Sequence, residues 1–406
     1  MTLKALLELG SSFVARSLSA AGVLLISIIL SRQLNLSETG TFFAAFTLLM
    51  GLAIFCRVGQ ELRLLRSVAT KKDGEGHRED LLSSSLITIA ASGVIAVVIF
   101  SWWLWSERSS PLTLLWVPLI PVALLNIASS YLKGIGSGGL GALSELGGIS
   151  LIVSCYFLWS PQRTALNAWL VFCLVSWFVA VAWCVVAYIK APGAMRVSHR
   201  WRNLITDARH LWAVALLSYL AQWGAMILVT IILAQDSVAV MNVLLRLLAP
   251  LQFVVLTLDY FLAPRFAHGT KGSILRARFL GIVTGLAIAF PYGLVLMIWP
   301  SVVLGHLFGS DYAAFGLELR LLIGATMLQM AFGANGMLLN MLSKDRAMTN
   351  SVILRLVVNT VLQFGLFLAP FLWMASLAHG AALMAQAIYL RMTADRFIGA
   401  PKVWAR

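Results

Sequence analysis

Apolar residues along this chain gather into about twelve long stretches separated by short polar or charged segments, a pattern that predicts membrane-spanning helices. Each stretch runs to about 20 residues, the length an α-helix needs to cross the hydrocarbon core. Backbone groups in lipid must pair within the chain, so helices rather than isolated strands are expected. The expected spans are 12–30, 41–59, 81–105, 112–132, 140–159, 166–189, 211–234, 238–262, 279–300, 316–339, 350–370 and 371–390. Only the turn around Pro370 divides the last two.

Basic residues turn that pattern into a topology. With the N-terminus on the cytoplasmic side, 22 of the 30 Lys and Arg residues fall in inner segments. Three, Arg32, Arg108 and Arg163, fall outside, and five, Arg16, Arg57, Arg246, Arg320 and Arg355, remain within apolar stretches. Such a bias over short loops sets orientation and predicts both termini in the cytoplasm. Trp102, Trp103, Trp105, Trp159, Trp299 and Trp373 sit near the expected outer ends, where amphipathic rings prefer the interface.

Composition agrees with that class. Hydrophobic residues make up 60% of the chain and charged residues 11%, against about 25% charged in an ordinary soluble domain. The net charge of +14 is spread over every inner loop, which reads as a topology signal and an attraction to anionic membrane lipids, with no nucleic-acid partner. Cys56, Cys155, Cys173 and Cys184 lie in apolar stretches without metal-ligand spacing and read as small buried hydrophobes. Arg16 interrupts the first apolar run and no small-residue cleavage site follows, so that run is expected to be an uncleaved helix.

The longest and most basic connection divides the chain into six stretches and six. The expected organisation is an N-terminal six-helix bundle over 1–190, a basic cytoplasmic linker over 191–210, and a C-terminal six-helix bundle with a short tail over 211–406. The halves resemble weak repeats: ISIILSRQLNLSETGTFFAAF, leading to LRLLRSVA, parallels VTIILAQDSVAVMNVLLRL, leading to APRFAHG. SYLKGIGSGGLGALSE likewise parallels GMLLNMLSKDRAMTNS. Duplication of this kind is common in transporter folds. The fold class expected is an all-α polytopic membrane protein, two six-helix bundles around a central cavity.

Polar residues inside the spans locate the chemistry. An Arg facing lipid at the bilayer centre costs roughly 2.5–3.5 kcal/mol, so Arg16, Arg246 and Arg355 are expected to line a wet cavity. Helical spacing groups them with polar companions: Ser12, Arg16, Ser19 and Ser27 in the first stretch; Ser218, Gln222 and Thr230 in the seventh; Asn242, Arg246 and Thr257 in the eighth; Arg355, Asn359 and Gln363 in the eleventh. The sixth stretch is nearly all apolar and should face lipid. Arg57 divides evenly between snorkelling and lining the cavity, and Arg320 reads as interfacial. Glu145 and Asp259 are the acidic candidates, for an ion pair with one of these arginines or for coupling to H+ or Na+. Several cations in a dehydrated cleft favour an anionic partner, and Arg offers a planar fork that matches phosphate.

The opening ARSLSAAGVLLISIILSRQLNLSETGTFFAAFTLLMGLAIF and the later LFGSDYAAFGLELRLLIGATMLQMAFGANGMLLNMLSKDR resemble the polysaccharide-transporter branch of the multidrug/oligosaccharidyl-lipid/polysaccharide exporter superfamily. The resemblance implies a flippase of the bacterial cytoplasmic membrane. It would move undecaprenyl-diphosphate-linked oligosaccharide, a polysaccharide or O-antigen unit, by alternating access. Arg16 matches that family's cation in the first helix. Polysaccharide-assembly proteins would be further partners, and no cofactor is implied. A cation-coupled drug exporter of the same superfamily is the alternative, although the first stretch carries no internal carboxylate. A glycan polymerase or ligase would need a larger outer loop than 301–315, where His306 and Asp311 stand without a second carboxylate close by.

Overall fold

The computed structural model describes residues 3–70, 76–105, 110–160, 163–193, 201–268, 270–342 and 344–399. Among them the regular structure is entirely helical. The first part of the chain holds α1 (Leu3–Gln33), α2 (Leu36–Cys56), α3 (Gln60–Thr70), α4 (His77–Trp105), α5 (Trp116–Gly134), α6 (Gly138–Leu143), α7 (Leu146–Trp159) and α8 (Ala165–Lys190). The second part holds α9 (Trp201–Ile232), α10 (Gln235–His268), α11 (Lys271–Ile298), α12 (Pro300–Phe308), α13 (Gly316–Ala331), α14 (Asn335–Met341), α15 (Asp345–Gln363) and α16 (Leu372–Gly399). Ten spans among the described residues are long and apolar enough to cross a membrane, and α7 is a shorter apolar helix. The chain is thus a multi-pass membrane protein. Contacts divide it into two compact units, Met1–Leu216 and Leu217–Arg406, so the boundary falls inside α9.

Helix ends differ from the periodicity where capping and glycine chemistry intervene. Asn35 caps α2 five residues before the expected start, its side chain accepting from the Glu38 amide at 2.8 Å. The second stretch stops at Cys56, because Val58 and Gly59 take positive φ (48° and 72°), and α3 starts anew at Gln60. The fifth expected span is broken into α6 and α7. The tenth is broken too: Gly333 at φ 84° ends one helix before α14 begins. Each unit therefore contains two apolar helices with a six- or seven-residue helix between them (α5–α6–α7 and α13–α14–α15). Trp201 to His210, expected in the linker, instead forms the first turns of α9, where no Pro or Gly interrupts the helix. The remaining linker residues 194–200, with Arg196 and Arg200, lie outside the described residues, as do Lys71, Lys72, Arg108, Lys402 and Arg406.

Each unit has its own core. In the first, the rings of Phe42, Phe46, Trp169 and Phe172 pack edge-on and stacked with centroids 5.4–6.4 Å apart. Leu64, Val68, Ile127, Tyr131, Leu132 and Ala187 form a second cluster. In the second unit Leu262, Phe266, Ile274, Leu338, Leu339 and Ala394 do the same. As expected of the sixth stretch, α8 leaves Leu174, Phe178 and Ile189 exposed, but its other face buries Trp169 and Phe172 completely. Of the cysteines, Cys56 and Cys173 are buried, Cys184 is half-buried and Cys155 is exposed, so the expectation of burial fails for Cys155.

α1 crosses α7 through small residues. A Cβ on Gly147 would lie 2.2 Å from the Ser19 Cα, and one on Gly22 would lie 2.5 Å from the Gly147 carbonyl oxygen. The backbones are in direct contact, the arrangement by which small residues let membrane helices associate.

Candidate functional site

The polar positions of the expected stripes separate into packing groups and groups with unused hydrogen-bonding capacity. Ser19 is buried in the α1–α7 crossing, and the Ser27 hydroxyl donates to the Val23 carbonyl at 3.1 Å, so these two do not line a cavity with Arg16. Small polar side chains serve helix packing as readily as solvation, and only contacts distinguish the two. Arg16 itself is exposed on α1. The side chain of Ser12 lies outside the described residues.

Arg57 neither snorkels nor faces a cavity. It is 7% exposed, donates from Nε to the Ala53 carbonyl at 3.1 Å and pairs with Glu61 one turn on. Arg320 is exposed near the N-terminal end of α13, its Nε donating to the Met297 carbonyl at 3.0 Å. Glu145 pairs with Lys133, Nζ to Oε1 at 2.6 Å, and not with an arginine. That contact ties the end of α5 to the start of α7, across the α6 turn where Ser129 donates to the Gly141 carbonyl at 2.7 Å. Since both side chains are partly solvated (27% and 37% exposed), the pair contributes about 0–1 kcal/mol. Replacing both with Gln is therefore expected to change transport and thermal stability by less than roughly threefold and 1 kcal/mol; a complete loss of transport in Glu145→Gln alone would return that residue to a coupling role.

Within the second unit the described residues build a polar seam between α15 and α16. Ser351, Arg355, Asn359 and Gln363 occur every fourth residue on α15, one stripe along the helix. Arg355 Nη1 donates to Gln386 Oε1 at 3.5 Å, Gln386 Nε2 donates to Ser351 Oγ at 3.4 Å, and Gln363 Nε2 donates to Asn359 Oδ1 at 3.1 Å. His379 on α16, 2% exposed, is within electrostatic reach of Arg355. From α9, Gly224 approaches the Asn359 amide nitrogen, which would lie 3.5 Å from a Cβ placed there. Asn359 and Gln363 are each 1% exposed, and no chain of hydrogen bonds uses up their capacity. Arg355 Nε, Asn359 Nδ2 and Gln363 Oε1 are buried without a hydrogen-bond partner among the described residues. A buried donor or acceptor left unmade costs about 1–3 kcal/mol, so these three atoms make the seam the costliest polar feature of α15.

The α9–α10 pair contributes a second group. The Arg246 guanidinium lies 5.1 Å from the centre of the Trp223 ring. Asn242, one turn earlier on α10 and 1% exposed, has both amide atoms without hydrogen-bond partners among the described residues. Gln222 is exposed on α9 beside Trp223, and Thr257 is exposed further along α10. Asp259 Oδ1 is buried with neither a hydrogen-bond partner nor an ion pair among the described residues.

Sequence periodicity singled out Arg355, Asn359, Gln363, Asn242 and Arg246, and the structure adds Gln386 and His379 beside Arg355 and Trp223 beside Arg246. His379 and Gln386 are seven residues apart, hence on one helical face, a signal present in the chain but hidden by the apolar run around it. Trp223 was invisible as a site residue, because an aromatic in a spanning helix is ordinarily packing. Among the described residues no group of three His, Cys, Asp or Glu side chains could hold a metal ion.

This helical architecture is the fold of the transporters of the MOP superfamily. The chain is similar in structure to a lipid II flippase MurJ in its inward closed conformation, at 12% identity and a TM-score of 0.78, covering 96% of this chain and 87% of that one. It is also similar to a multidrug resistance MATE family transporter of the MOP superfamily in an inward-facing conformation, at 17% identity and a TM-score of 0.74, covering 97% and 100%. A MOP superfamily transporter from Pyrococcus furiosus, described as having reversed polarity in its binding pocket, follows at 16% identity and a TM-score of 0.65, covering 97% and 94%. No protein-family model and no curated protein sequence matches the chain.

Proposed function

We propose that this protein is a flippase that carries undecaprenyl-diphosphate-linked oligosaccharide across the bacterial cytoplasmic membrane by alternating access. The observation that carries the reading is Arg355. Its guanidinium lies in a membrane-spanning helix, is held by the neutral amide of Gln386, and has no carboxylate partner among the described residues. A cation kept in that setting needs an anion, and a diphosphate matches the guanidinium fork. Arg246 over Trp223, with Asn242 and Gln222 near it in the chain, adds donors and an aromatic face suited to a sugar–diphosphate headgroup. The fold alone accommodates cation-coupled drug exporters equally well. Against that alternative, Glu145, one of the two acidic candidates, is paired with Lys133.

The test is translocation in reconstituted vesicles of a fluorescent undecaprenyl-diphosphate oligosaccharide, with undecaprenyl monophosphate and the cationic dye ethidium as comparison substrates. Selective movement of the first supports the reading. Ethidium transport driven by an H+ or Na+ gradient, with no movement of the lipid-linked glycan, overturns it. Orientation is tested separately. In cells, Arg209→Cys, on the exposed face of α9 and in a background lacking the native cysteines, should react with a membrane-impermeant maleimide only after permeabilisation. Labelling of intact cells would invert the topology.

A further inference from the structure

The junction between α2 and α3 holds a backbone that its own sequence does not favour. Val58 is the non-glycine residue with positive φ among the described residues, at 48°, and it is β-branched. A side chain in the left-handed region costs roughly as much as a weak tertiary contact supplies, more so when branched at Cβ. Such a conformation persists only where surrounding contacts over-determine it.

Here those contacts come from the first turns of α9. Gly59, at φ 72°, lies directly against the α9 backbone: a Cβ there would be 2.4 Å from the Ala208 carbonyl oxygen and 2.8 Å from the Trp212 amide nitrogen. Trp212 Nε1 donates to the Phe55 carbonyl at 3.1 Å, and the two rings meet edge-on at 5.1 Å. Gln60 Nε2 donates to the Leu204 carbonyl at 3.2 Å, while Gln60 Oε1 accepts from Arg63 Nε at 2.8 Å. Arg63 in turn donates to Ser84 Oγ on α4 at 2.8 Å. Burial lowers the Arg63 pKa from its ordinary value, opposed by the carboxylates of Asp80 and Asp207, the latter on α9. Arg57 and Glu61 close the junction by pairing across it.

Two further facts give this grip a mechanical meaning. In the second unit the corresponding helix, α10, runs unbroken from Gln235 to His268, so the break is peculiar to the first unit. And α9 is one continuous helix whose first turns belong to the first unit and whose remainder belongs to the second.

We propose that the α2–α3 junction is a strained latch that grips the cytoplasmic start of α9, kinked while α9 is held and extended towards a single helix when α9 is released. Release relieves Val58 and removes the contacts that hold Gly59, so the two forms exchange stored backbone strain for tertiary contact, which is the requirement for a two-state element. α9 itself continues beyond the gripped turns to Ile232. The device does not depend on the identity of the transported molecule.

Spin labels at Thr70→Cys on α3 and Arg209→Cys on α9, both exposed, in a background lacking the native cysteines, read the latch by double electron–electron resonance in lipid nanodiscs. Wild-type protein should give two distance populations. Val58→Gly, which removes the strain from the kinked form, should shift their ratio towards that form by about five- to thirtyfold. Trp212→Phe, which deletes one hydrogen bond and retains the ring, should shift the ratio the other way. Gly59→Ala should populate the extended form alone, and the other two variants keep the test readable if it fails to fold. One unchanged distribution in wild type, Val58→Gly and Trp212→Phe overturns the proposal.

Discussion

Arg355→Met is expected to make the protein more stable and unable to transport. Arg355 is half-buried on α15, donates to Gln386 at 3.5 Å, and has its buried Nε without a partner among the described residues. Replacing a buried charge by an apolar side chain of similar volume is often neutral or stabilising by about 1–4 kcal/mol. If the same charge anchors a diphosphate, losing it forfeits roughly 3 kcal/mol of charge-assisted hydrogen bonding, about a hundredfold in transport at fixed substrate concentration. Arg355→Lys should retain part of the activity, since the charge persists while the planar fork is lost. Thermal unfolding in detergent and vesicle flipping are the paired measurements. A variant that is destabilised yet still transports would make Arg355 a structural residue and remove the main support for an anionic substrate.

Gly147→Ala is expected to be strongly destabilising. The new Cβ would meet the Ser19 Cα at 2.2 Å and the Ser19 carbonyl oxygen at 2.5 Å, both backbone atoms that no side-chain rotation can move. Overpacking costs about 1–3 kcal/mol where side chains can yield, so separating two backbones should cost about 3 kcal/mol or more. Gly93→Ala and Gly324→Ala are the controls, because nothing lies within 4 Å of a Cβ at either position. Both should be neutral or stabilised by up to about 1 kcal/mol through the loss of glycine's backbone freedom. Unfolding midpoints in a graded detergent titration distinguish the three. Equal midpoints would mean that α1 does not lie against α7 in the membrane.

Spans were legible because the bilayer imposes one length and one polarity on every crossing, and the side chains must announce both. Gly147 shows where that legibility stops: one glycine among many in a helix is silent until the partner backbone is known. The same holds for Ser19 and Ser27, read as cavity positions from a stripe shared with Arg16, yet absorbed by the α1–α7 crossing and by the helix's own carbonyls. Glu145 called for a cationic partner in either setting, but its choice of Lys133 depended on the α6 turn, which no hydrophobic period encodes.

By itself, then, the sequence determined that the chain is a multi-pass helical membrane protein, and it marked Arg246, Arg355, Asn359 and Gln363 as polar groups costly enough to need a reason. These are one-dimensional properties: apolar length, charge, and helical spacing within a single segment. Which polar stripes pack and which keep unused hydrogen bonds, which cation takes an acidic partner, and why α2 breaks at Val58 while α10 does not were decided by tertiary structure alone. Each depends on what a second helix places opposite the first, and contacts between segments distant in the chain leave no periodic trace in either one.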